Sequence, residues 1–214
     1  MSAAMEKAYV AIKEAIFSGR YGAGERLKER DICTELEVSR TPVREALRRL
    51  EADGLVRLEP RRGAVVTELG IDEANEIFSL GALLESFGAG LAARRASPDD
   101  VAALDRLLDE MSQLLQSGHD QVHLEYMRLD HDLHGRIVEI AANRRLAALL
   151  RQTVGMPVLV KSFHSYSMDD LKRSLDQHRT IVDAIRVGDT VWAEAAMRSH
   201  ILVTRSLILP PADS

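Results

Sequence analysis

The sequence has few of the features that mark secreted or membrane-bound proteins. Its 214 residues include one cysteine, Cys33, which excludes an internal disulfide and cannot build a cysteine zinc cluster alone. No apolar run approaches the roughly 18 residues that span a bilayer. The first ten residues, MSAAMEKAYV, also lack the basic start and apolar stretch of a signal peptide. The sequence therefore predicts a cytoplasmic protein without a membrane segment.

Acidic residues outnumber basic ones, but their balance changes along the chain. The formal net charge is −5, which alone argues against a nucleic-acid-binding protein. Residues 1–66, however, contain 13 Lys or Arg against 11 Asp or Glu, whereas residues 67–214 contain 15 against 22. The basic balance thus lies in the N-terminal third, which indicates two parts with different partners.

The N-terminal third has the pattern of a winged helix-turn-helix domain. Helical spacing of apolar residues predicts helices over 4–18, 28–36 and 42–53, and the segments LVRLE and AVVTE alternate as two strands of a hairpin. The Pro and Gly of PRRG mark the turn of this hairpin, with Arg61 and Arg62 at its tip. Three helices followed by a basic hairpin favour a DNA-binding function.

The third predicted helix contains the segment SRTPVREALRRL, with arginines at positions 40, 44 and 48 and apolar residues on the other side. Thr41 is the expected N-cap and Pro42 the first helical residue, because proline lacks the N–H that would stay unbonded there. The N-terminal end of such a helix enters the major groove, so Arg40, Thr41 and Arg44 are candidate DNA contacts. Arg48 and Arg49 are expected to be solvated or to meet phosphate.

The run LKERDICTELEVSRTPVREALRRLEADGLVRLEPRRGAVV resembles the DNA-binding domain of GntR-family bacterial transcription regulators. The resemblance covers about residues 5–66. It implies that Arg30, Arg40, Arg44 and the wing glycine Gly63 contact operator DNA. The basic wing residues Arg61 and Arg62 suit phosphate or the minor groove.

The rest of the chain is expected to be all-helical. Helical patterns are separated by Ser97-Pro98, Ser117-Gly118, Asn143 and Gly188-Asp189. The predicted helices cover 71–95, 98–117, 120–142, 144–162, 168–187 and 189–208. We therefore predict a mainly α protein with a DNA-binding domain at 1–66, a linker at 67–70 and a helical domain at 71–214.

All seven histidines lie in this helical part, at 119, 123, 131, 134, 164, 178 and 200. Asp130 and His134 are four residues apart, so both side chains leave one face of a helix. His178 and His200 lie among apolar residues at helical spacing, where buried imidazoles are costly unless they are satisfied. These four residues would satisfy one another by binding a cation. Three imidazoles and one carboxylate favour zinc, with nickel or another divalent ion as alternatives.

The pattern D-x-x-x-H, then H-R-x-I-x-x-A-I-x-x-G-D, then A-x-x-x-M-x-x-H resembles the FCD ligand domain of the FadR subfamily, an antiparallel helical bundle. This resemblance spans about residues 71–208. It implies that Asp130, His134, His178 and His200 are metal ligands. The histidines at 119, 123, 131 and 164 match no ligand position and are expected to be ordinary surface or core residues.

The resemblance also implies a small-molecule effector bound near the metal. Family members commonly have an arginine for the effector carboxylate where this sequence has Gly81, in LGALLE. Because a metal can itself coordinate a carboxylate, an organic acid stays the expected effector. Arg128 and Arg136 are candidate substitutes for the missing charge.

Three functions remain open from the sequence. The first is a homodimeric, effector-controlled transcription regulator, because paired half-sites on DNA require two recognition helices. The second is a metal-dependent enzyme acting on a small organic acid, which is disfavoured because no clear general base accompanies the ligands. The third is a regulator whose metal is purely structural.

Overall fold

A computed structural model describes residues 2–59, 63–68, 70–119, 121–153 and 166–209. The chain divides into two compact units between Gly70 and Ile71. The first unit combines helices with a small sheet, and the second is helical throughout its described residues. This architecture confirms the predicted mainly α fold with an N-terminal winged helix-turn-helix.

The N-terminal unit consists of three helices and a three-stranded sheet. In chain order the elements are α1 (Ala3–Phe17), β1 (Arg26–Leu27), α2 (Glu29–Leu36), α3 (Arg40–Ala52), β2 (Val56–Glu59) and β3 (Gly63–Val66). The sheet is antiparallel in the order β1-β3-β2. The predicted hairpin of β2 and β3 is present. The prediction lacked a third strand, β1, which pairs Leu27 with Ala64 of β3.

Gly63 is explained by the close approach of two of these strands. Its φ is +92°, and a Cβ at this position would lie 2.6 Å from the Leu27 carbonyl oxygen. Both the backbone angle and the lack of space require glycine. The identity of this residue thus follows from the fold of the wing, whether or not its backbone also meets DNA.

Helix α3 begins two residues earlier than the sequence predicts. Its N-cap is Ser39 and its first residue is Arg40, so the prediction of Thr41 as the N-cap is wrong. Pro42 is then the third helical residue. It is tolerated there because the first N–H groups of any helix lack an acceptor within the helix. The earlier start places Arg40 and Thr41 within the first turn.

The core of the N-terminal unit lies between the amphipathic helices. Helix α1 packs on α3, and α2 also contacts α3. Leu47 and Leu50 of α3 and Ile12 of α1 are almost completely buried. Burial of such side chains contributes about 1.5–3 kcal/mol each, which fixes the polar face of α3 outward.

The C-terminal unit is built from six described helices. They are α4 (Ile71–Arg95), α5 (Pro98–Gln116), α6 (Val122–Ile140), α7 (Arg144–Thr153), α8 (Met168–Arg186) and α9 (Thr190–Ile208). Helix α4 packs against α6, α7, α8 and α9, so it is the central helix of the unit. The helix predicted over 144–162 is described as far as Thr153, and its remainder lies outside the described residues.

Local sequence sets the starts of two of these helices. Ser97 and Asp100 form a capping box before α5, and Ser167 and Asp170 form another before α8. In each box the serine side chain accepts from a backbone N–H and the aspartate side chain accepts from the N-cap backbone. Each satisfies two N–H groups that the helix itself leaves unbonded. These caps fix where α8, which carries His178, begins.

In the part of the chain that the structure describes, α4 is the one helix long and apolar enough to cross a membrane by length and composition. Of its most apolar stretch, 56% is buried inside the protein. The central helix of a folded bundle satisfies the same criterion, so this is weak support for a membrane span.

Candidate DNA-binding surface and metal centre

The N-terminal end of α3 presents a positively charged surface. Arg40, Thr41 and Arg44 are all exposed. An open cleft of about 600 Å³ lies beside them, with Leu47, Leu58 and Gly63 also in its lining. Its charged lining comprises five cations, Lys28, Arg30, Arg40, Arg44 and Arg48, and two carboxylates, Glu29 and Glu59. The surplus of positive charge suits a polyanion such as the DNA backbone.

Two cleft residues from different helices form an ion pair. The Arg44 Nε donates to both carboxylate oxygens of Glu29, at 3.0 and 2.9 Å. The Arg44 side chain is 58% exposed and that of Glu29 is 26% exposed. The pair therefore lies at the surface, where it joins the start of α2 to the first turns of α3.

Arg49 is not simply solvated, as one of the two roles expected from the sequence would require. Its guanidinium lies 3.8 Å from the centre of the Tyr9 ring and donates to Glu6 at 2.8 Å. Tyr9 in turn donates to Asp53 at 2.7 Å. These contacts join α1 to α3, so Arg49 stabilises the helix packing. The predicted tip residues Arg61 and Arg62 lie outside the described residues.

In the C-terminal unit, four side chains from three helices meet. Asp130 and His134 come from α6, His178 from α8 and His200 from α9. One potential ligand atom from each lies within 4.8 Å of the other three. The His178 Nε2 is 3.2 Å from Asp130 Oδ1 and 3.3 Å from His134 Nε2. The structure thus brings together the four residues that the sequence singles out.

The cluster is almost completely removed from solvent. His178 is 0% exposed, His200 3% and Asp130 7%. An isolated charge at such depth is strongly unfavourable, so buried ionisable groups must compensate one another or bind an ion. In this cluster the negative charge of the Asp130 carboxylate can compensate a positive charge on the neighbouring imidazoles.

Two further side chains orient the histidines, and sequence reasoning missed both. The His134 Nδ1 is 2.5 Å from Glu85 Oε2, and the His200 Nδ1 is 3.1 Å from Gln177 Oε1. When Nδ1 carries the proton and donates it to such an oxygen, Nε2 is left with a lone pair facing inward. Glu85 and Gln177 are therefore outer partners of the cluster. Glu85 lies on α4 and gave no spacing signal, because it is far from the other residues in sequence.

Burial and neighbouring charges set the protonation of the cluster. Burial lowers the pKa of His134, but the Glu85 carboxylate outweighs burial and raises it to about 9. Burial likewise opposes ionisation of Asp130, but the hydrogen bond from His178 and the nearby imidazoles lower its pKa to about 2. Burial lowers the pKa of both His178 and His200, so they are neutral at pH 7. Asp130, His178 and His200 are therefore in the forms that bind metals at pH 7, whereas His134 must first lose its proton.

The donor set fits a divalent transition metal. Tetrahedral zinc, with bonds of roughly 2.0–2.2 Å, separates its ligand atoms by about 3.3–3.6 Å. The separations of His178 Nε2 from Asp130 Oδ1 and His134 Nε2, 3.2 and 3.3 Å, are close to this spacing. Three imidazole nitrogens and one carboxylate oxygen also suit nickel and related ions. The four residues could therefore hold a metal ion.

The other described histidines lie away from this cluster. His119 and His131 are exposed. His123 Nε2 contacts the backbone oxygen of Tyr166 at 2.9 Å. His164 lies outside the described residues.

Arg128 and Arg136, the candidate effector residues, make no described contact with the cluster. Arg128 pairs with Glu125 and Asp132. Arg136 pairs with Asp100 and Glu139. Each lies two residues from Asp130 or His134 on α6, a spacing that directs it to a different helix face. Both arginines are occupied by ion pairs at the surface.

Metal affinity is expected to rise with pH. In the metal-free protein the raised pKa of His134 means that its proton stabilises the fold below about pH 6.5, a contribution lost as pH rises towards 9. A metal competes with this proton, so the dissociation constant should fall about tenfold per pH unit between pH 7 and about 9. Chelator-competition titrations measure this slope, and calorimetry in buffers of different ionisation enthalpy measures the released proton. A dissociation constant independent of pH over this range would contradict the assignment.

Replacing Glu85 by glutamine separates the two effects of its carboxylate. Above pH 9, where His134 is neutral in both proteins, Glu85→Gln should bind the metal about 10–100-fold more weakly, because the outer partner loses its charge. Between pH 7 and 9 the variant should show a flatter pH dependence, because the main cause of the raised His134 pKa is gone. The same titrations test both points. Unchanged affinity and slope would exclude Glu85 as an outer partner.

Comparison with known protein families matches both units of the chain. Residues 4–66 match the model of bacterial regulatory proteins of the gntR family, and residues 76–202 match the FCD domain. The first match covers the helices and sheet around the cationic cleft. The second contains all four residues of the buried cluster.

Known proteins with similar sequences are transcription regulators. The Uxu operon transcriptional regulator of Escherichia coli strain K12 is 33% identical, over 89% of this chain and 80% of its own length. A probable D-xylose utilization operon transcriptional repressor of Paenarthrobacter nicotinovorans is 29% identical, over 87% of this chain and 80% of its own. The gluconate operon transcriptional repressor of Bacillus licheniformis is 28% identical, over 83% and 74%.

The fold is also similar to a solved structure. McbR/YncC of E. coli aligns with a TM-score of 0.79 at 22% identity, covering 97% of this chain and 98% of that protein. At this identity the similarity establishes the fold alone.

Proposed function

We propose that a small molecule bound near a metal controls the binding of this protein to an operator. The proposal proceeds from the family: the chain belongs to the GntR family of bacterial regulatory proteins and is a DNA-binding transcription regulator with an FCD domain. The observation that carries this proposal is the buried cluster of Asp130, His134, His178 and His200. FCD domains bind small-molecule effectors, and many also bind a metal.

Arg40, Thr41 and Arg44 are the residues we propose for contact with the operator. They occupy the exposed first turns of α3, whose N-terminal end enters the major groove in a helix-turn-helix complex. An arginine there can donate two hydrogen bonds to guanine O6 and N7. Arg30 and Gly63 line the same cleft and are proposed as further contacts. The proposal extends to Arg61 and Arg62.

We propose zinc as the ion, with nickel or another divalent metal as alternatives. Asp130 would offer a carboxylate oxygen and the three histidines their Nε2 atoms. Glu85 and Gln177 would hold His134 and His200 in the required tautomer. A divalent metal with an open coordination position supplies a Lewis acid to which a carboxylate or hydroxyl group can bind.

The proposed effector is a small organic acid. The relatives named above regulate operons that include those for gluconate and D-xylose utilization, and gluconate is itself a carboxylate. Position 81, buried in α4, is glycine and offers no side-chain charge to such a ligand. The metal is therefore the proposed anchor for the carboxylate.

The test is a thermal-shift screen of the metal-loaded protein against small carboxylic acids, repeated after chelation. An acid at about 100 times its dissociation constant stabilises the folded protein by about 2.7 kcal/mol. A shift that requires the metal supports the proposal. A metal-dependent increase in stability with no response to any acid would instead favour a structural metal.

We further propose a cytoplasmic homodimer, since two recognition helices are needed for a two-fold symmetric operator. Leu80, Leu83 and Phe87 form an exposed apolar row along α4, about half exposed in each case. Such a row suits contact with a second copy of the chain. Light scattering on the purified protein measures the assembly, and a monomer at micromolar concentration would contradict it.

A further inference from the structure

Glu29 is an anion on a surface that is proposed to bind an anion. It lines the cleft together with five cations, and its negative charge would repel the DNA backbone. A residue with this electrostatic cost needs a compensating role. Its contacts indicate one, because both of its carboxylate oxygens accept from Arg44.

The geometry of this contact leaves the base-reading end of Arg44 unused. The Arg44 Nε donates to Glu29 Oε1 at 3.0 Å and to Oε2 at 2.9 Å. The described contacts of Arg44 include none at its two terminal amino groups. Recognition of guanine by two parallel hydrogen bonds can use that terminal pair. Glu29 thus binds the guanidinium at Nε, and no described contact occupies its two terminal amino groups.

Glu29 is itself held in place. It is the first residue of α2, where the positive end of the helix dipole favours a negative charge. Its side chain is only 26% exposed, and it contacts a residue of a different helix. An arginine side chain that is already oriented loses less rotamer freedom when it binds.

We propose that Glu29 is a positioning residue for DNA recognition: it holds Arg44 in the orientation that reads a base, so operator discrimination depends on an anion that weakens DNA binding in general. This inference rests on the proposed base-reading role of Arg44. It assigns Glu29 to specificity and not to affinity.

The experiment compares Glu29→Gln and Glu29→Ala with a matched control, Glu59→Gln. Glu59 lines the same cleft but pairs with Arg57, so its removal deletes the same charge without releasing Arg44. Binding is measured at one fixed salt concentration to a duplex selected by the wild-type protein from a random pool, and to a scrambled duplex. Thermal unfolding confirms that each variant is folded.

All three variants should bind the scrambled duplex more tightly, because each has lost a negative charge. The ratio of the affinity for the selected duplex to that for the scrambled duplex should fall about 3- to 10-fold in both Glu29 variants. This is the expected effect of having to order one long side chain, Arg44, on binding. In the Glu59→Gln control this ratio should not change. In an Arg44→Ala background, Glu29→Ala should lower the ratio no further, because there is no side chain left to orient.

Two results would overturn the inference, and they differ in meaning. If Arg44→Ala lowers the ratio but both Glu29 variants behave like Glu59→Gln, Glu29 has no positioning role while the proposed DNA contact stands. If Arg44→Ala leaves the ratio unchanged, Arg44 reads no base, and the proposed contact fails together with the inference.

Discussion

Replacing His200 by alanine is expected to empty the metal site. The wild-type protein should retain about one divalent ion per chain, and His200→Ala less than about a tenth of that after dialysis against a weak chelator. Loss of a direct ligand should cost more affinity than the roughly 10–100-fold that follows loss of an outer partner. His200 is 3% exposed and is one of the four groups whose ligand atoms converge. Elemental analysis of the purified proteins measures the metal content.

His131→Ala is the matched control for this experiment. His131 is next to Asp130 on α6 but is exposed and lies outside the cluster. Its replacement should leave the metal content unchanged. Equal metal content in His200→Ala and the wild-type protein would show that the ion is bound elsewhere.

Replacing Arg40 by alanine should lower operator affinity by about 1–3 kcal/mol, or roughly 5- to 150-fold, while the fold stays intact. Arg40 is exposed at the first residue of α3, so its side chain supports no core packing. The loss should be larger for the selected operator than for the scrambled duplex, because a base contact discriminates between sequences whereas the lost positive charge weakens binding to both. Titrations of operator and scrambled duplexes at one salt concentration measure the difference.

The control for charge is Arg106→Ala. Arg106 is an exposed residue of α5 in the other unit, so its removal changes the net charge equally but leaves the cleft intact. It should have little effect on the ratio between the two duplexes. If Arg40→Ala weakens binding to both duplexes by the same factor, Arg40 contacts phosphate and reads no base.

The sequence predicted the helices of this protein well because their starts and ends are encoded locally. Ser97 is the N-cap of α5 and Ser167 is the N-cap of α8. In the helix after each cap, apolar residues recur at helical spacing for several turns. The strand Arg26–Leu27 could not be found in this way. Two residues are too few to show an alternating pattern, and the strand exists only because β3 lies beside it.

The start of α3 shows how a correct rule can place a boundary wrongly. Proline is favoured at the first helical position, and this preference placed Thr41 at the N-cap. The whole first turn tolerates proline, however, so Ser39 is the cap and Pro42 lies inside the helix. The same limit of local rules applies to Arg49, whose partners Tyr9 and Glu6 belong to α1 and depend on how two helices pack.

At the candidate metal centre, the sequence singled out the inner residues and missed the outer ones. Asp130, His134, His178 and His200 are unusual residue types for apolar helix faces, which makes them visible in a sequence. Glu85 is a common residue in a helix, and its contact with His134 joins residues 49 positions apart. Only the packing of α4 against α6 reveals that this carboxylate, whose side chain is 11% exposed, lies beside His134 and raises its pKa.

The metal centre is tested most directly by an anomalous-difference map from crystals of the purified protein, recorded on both sides of the zinc absorption edge. We expect one peak per chain, within about 2.0–2.2 Å of a carboxylate oxygen of Asp130 and the Nε2 atoms of the three histidines. A peak at a different absorption edge would change the metal and leave the site intact. Crystals of metal-loaded protein with no peak at these four side chains would show that Asp130, His134, His178 and His200 do not hold the metal.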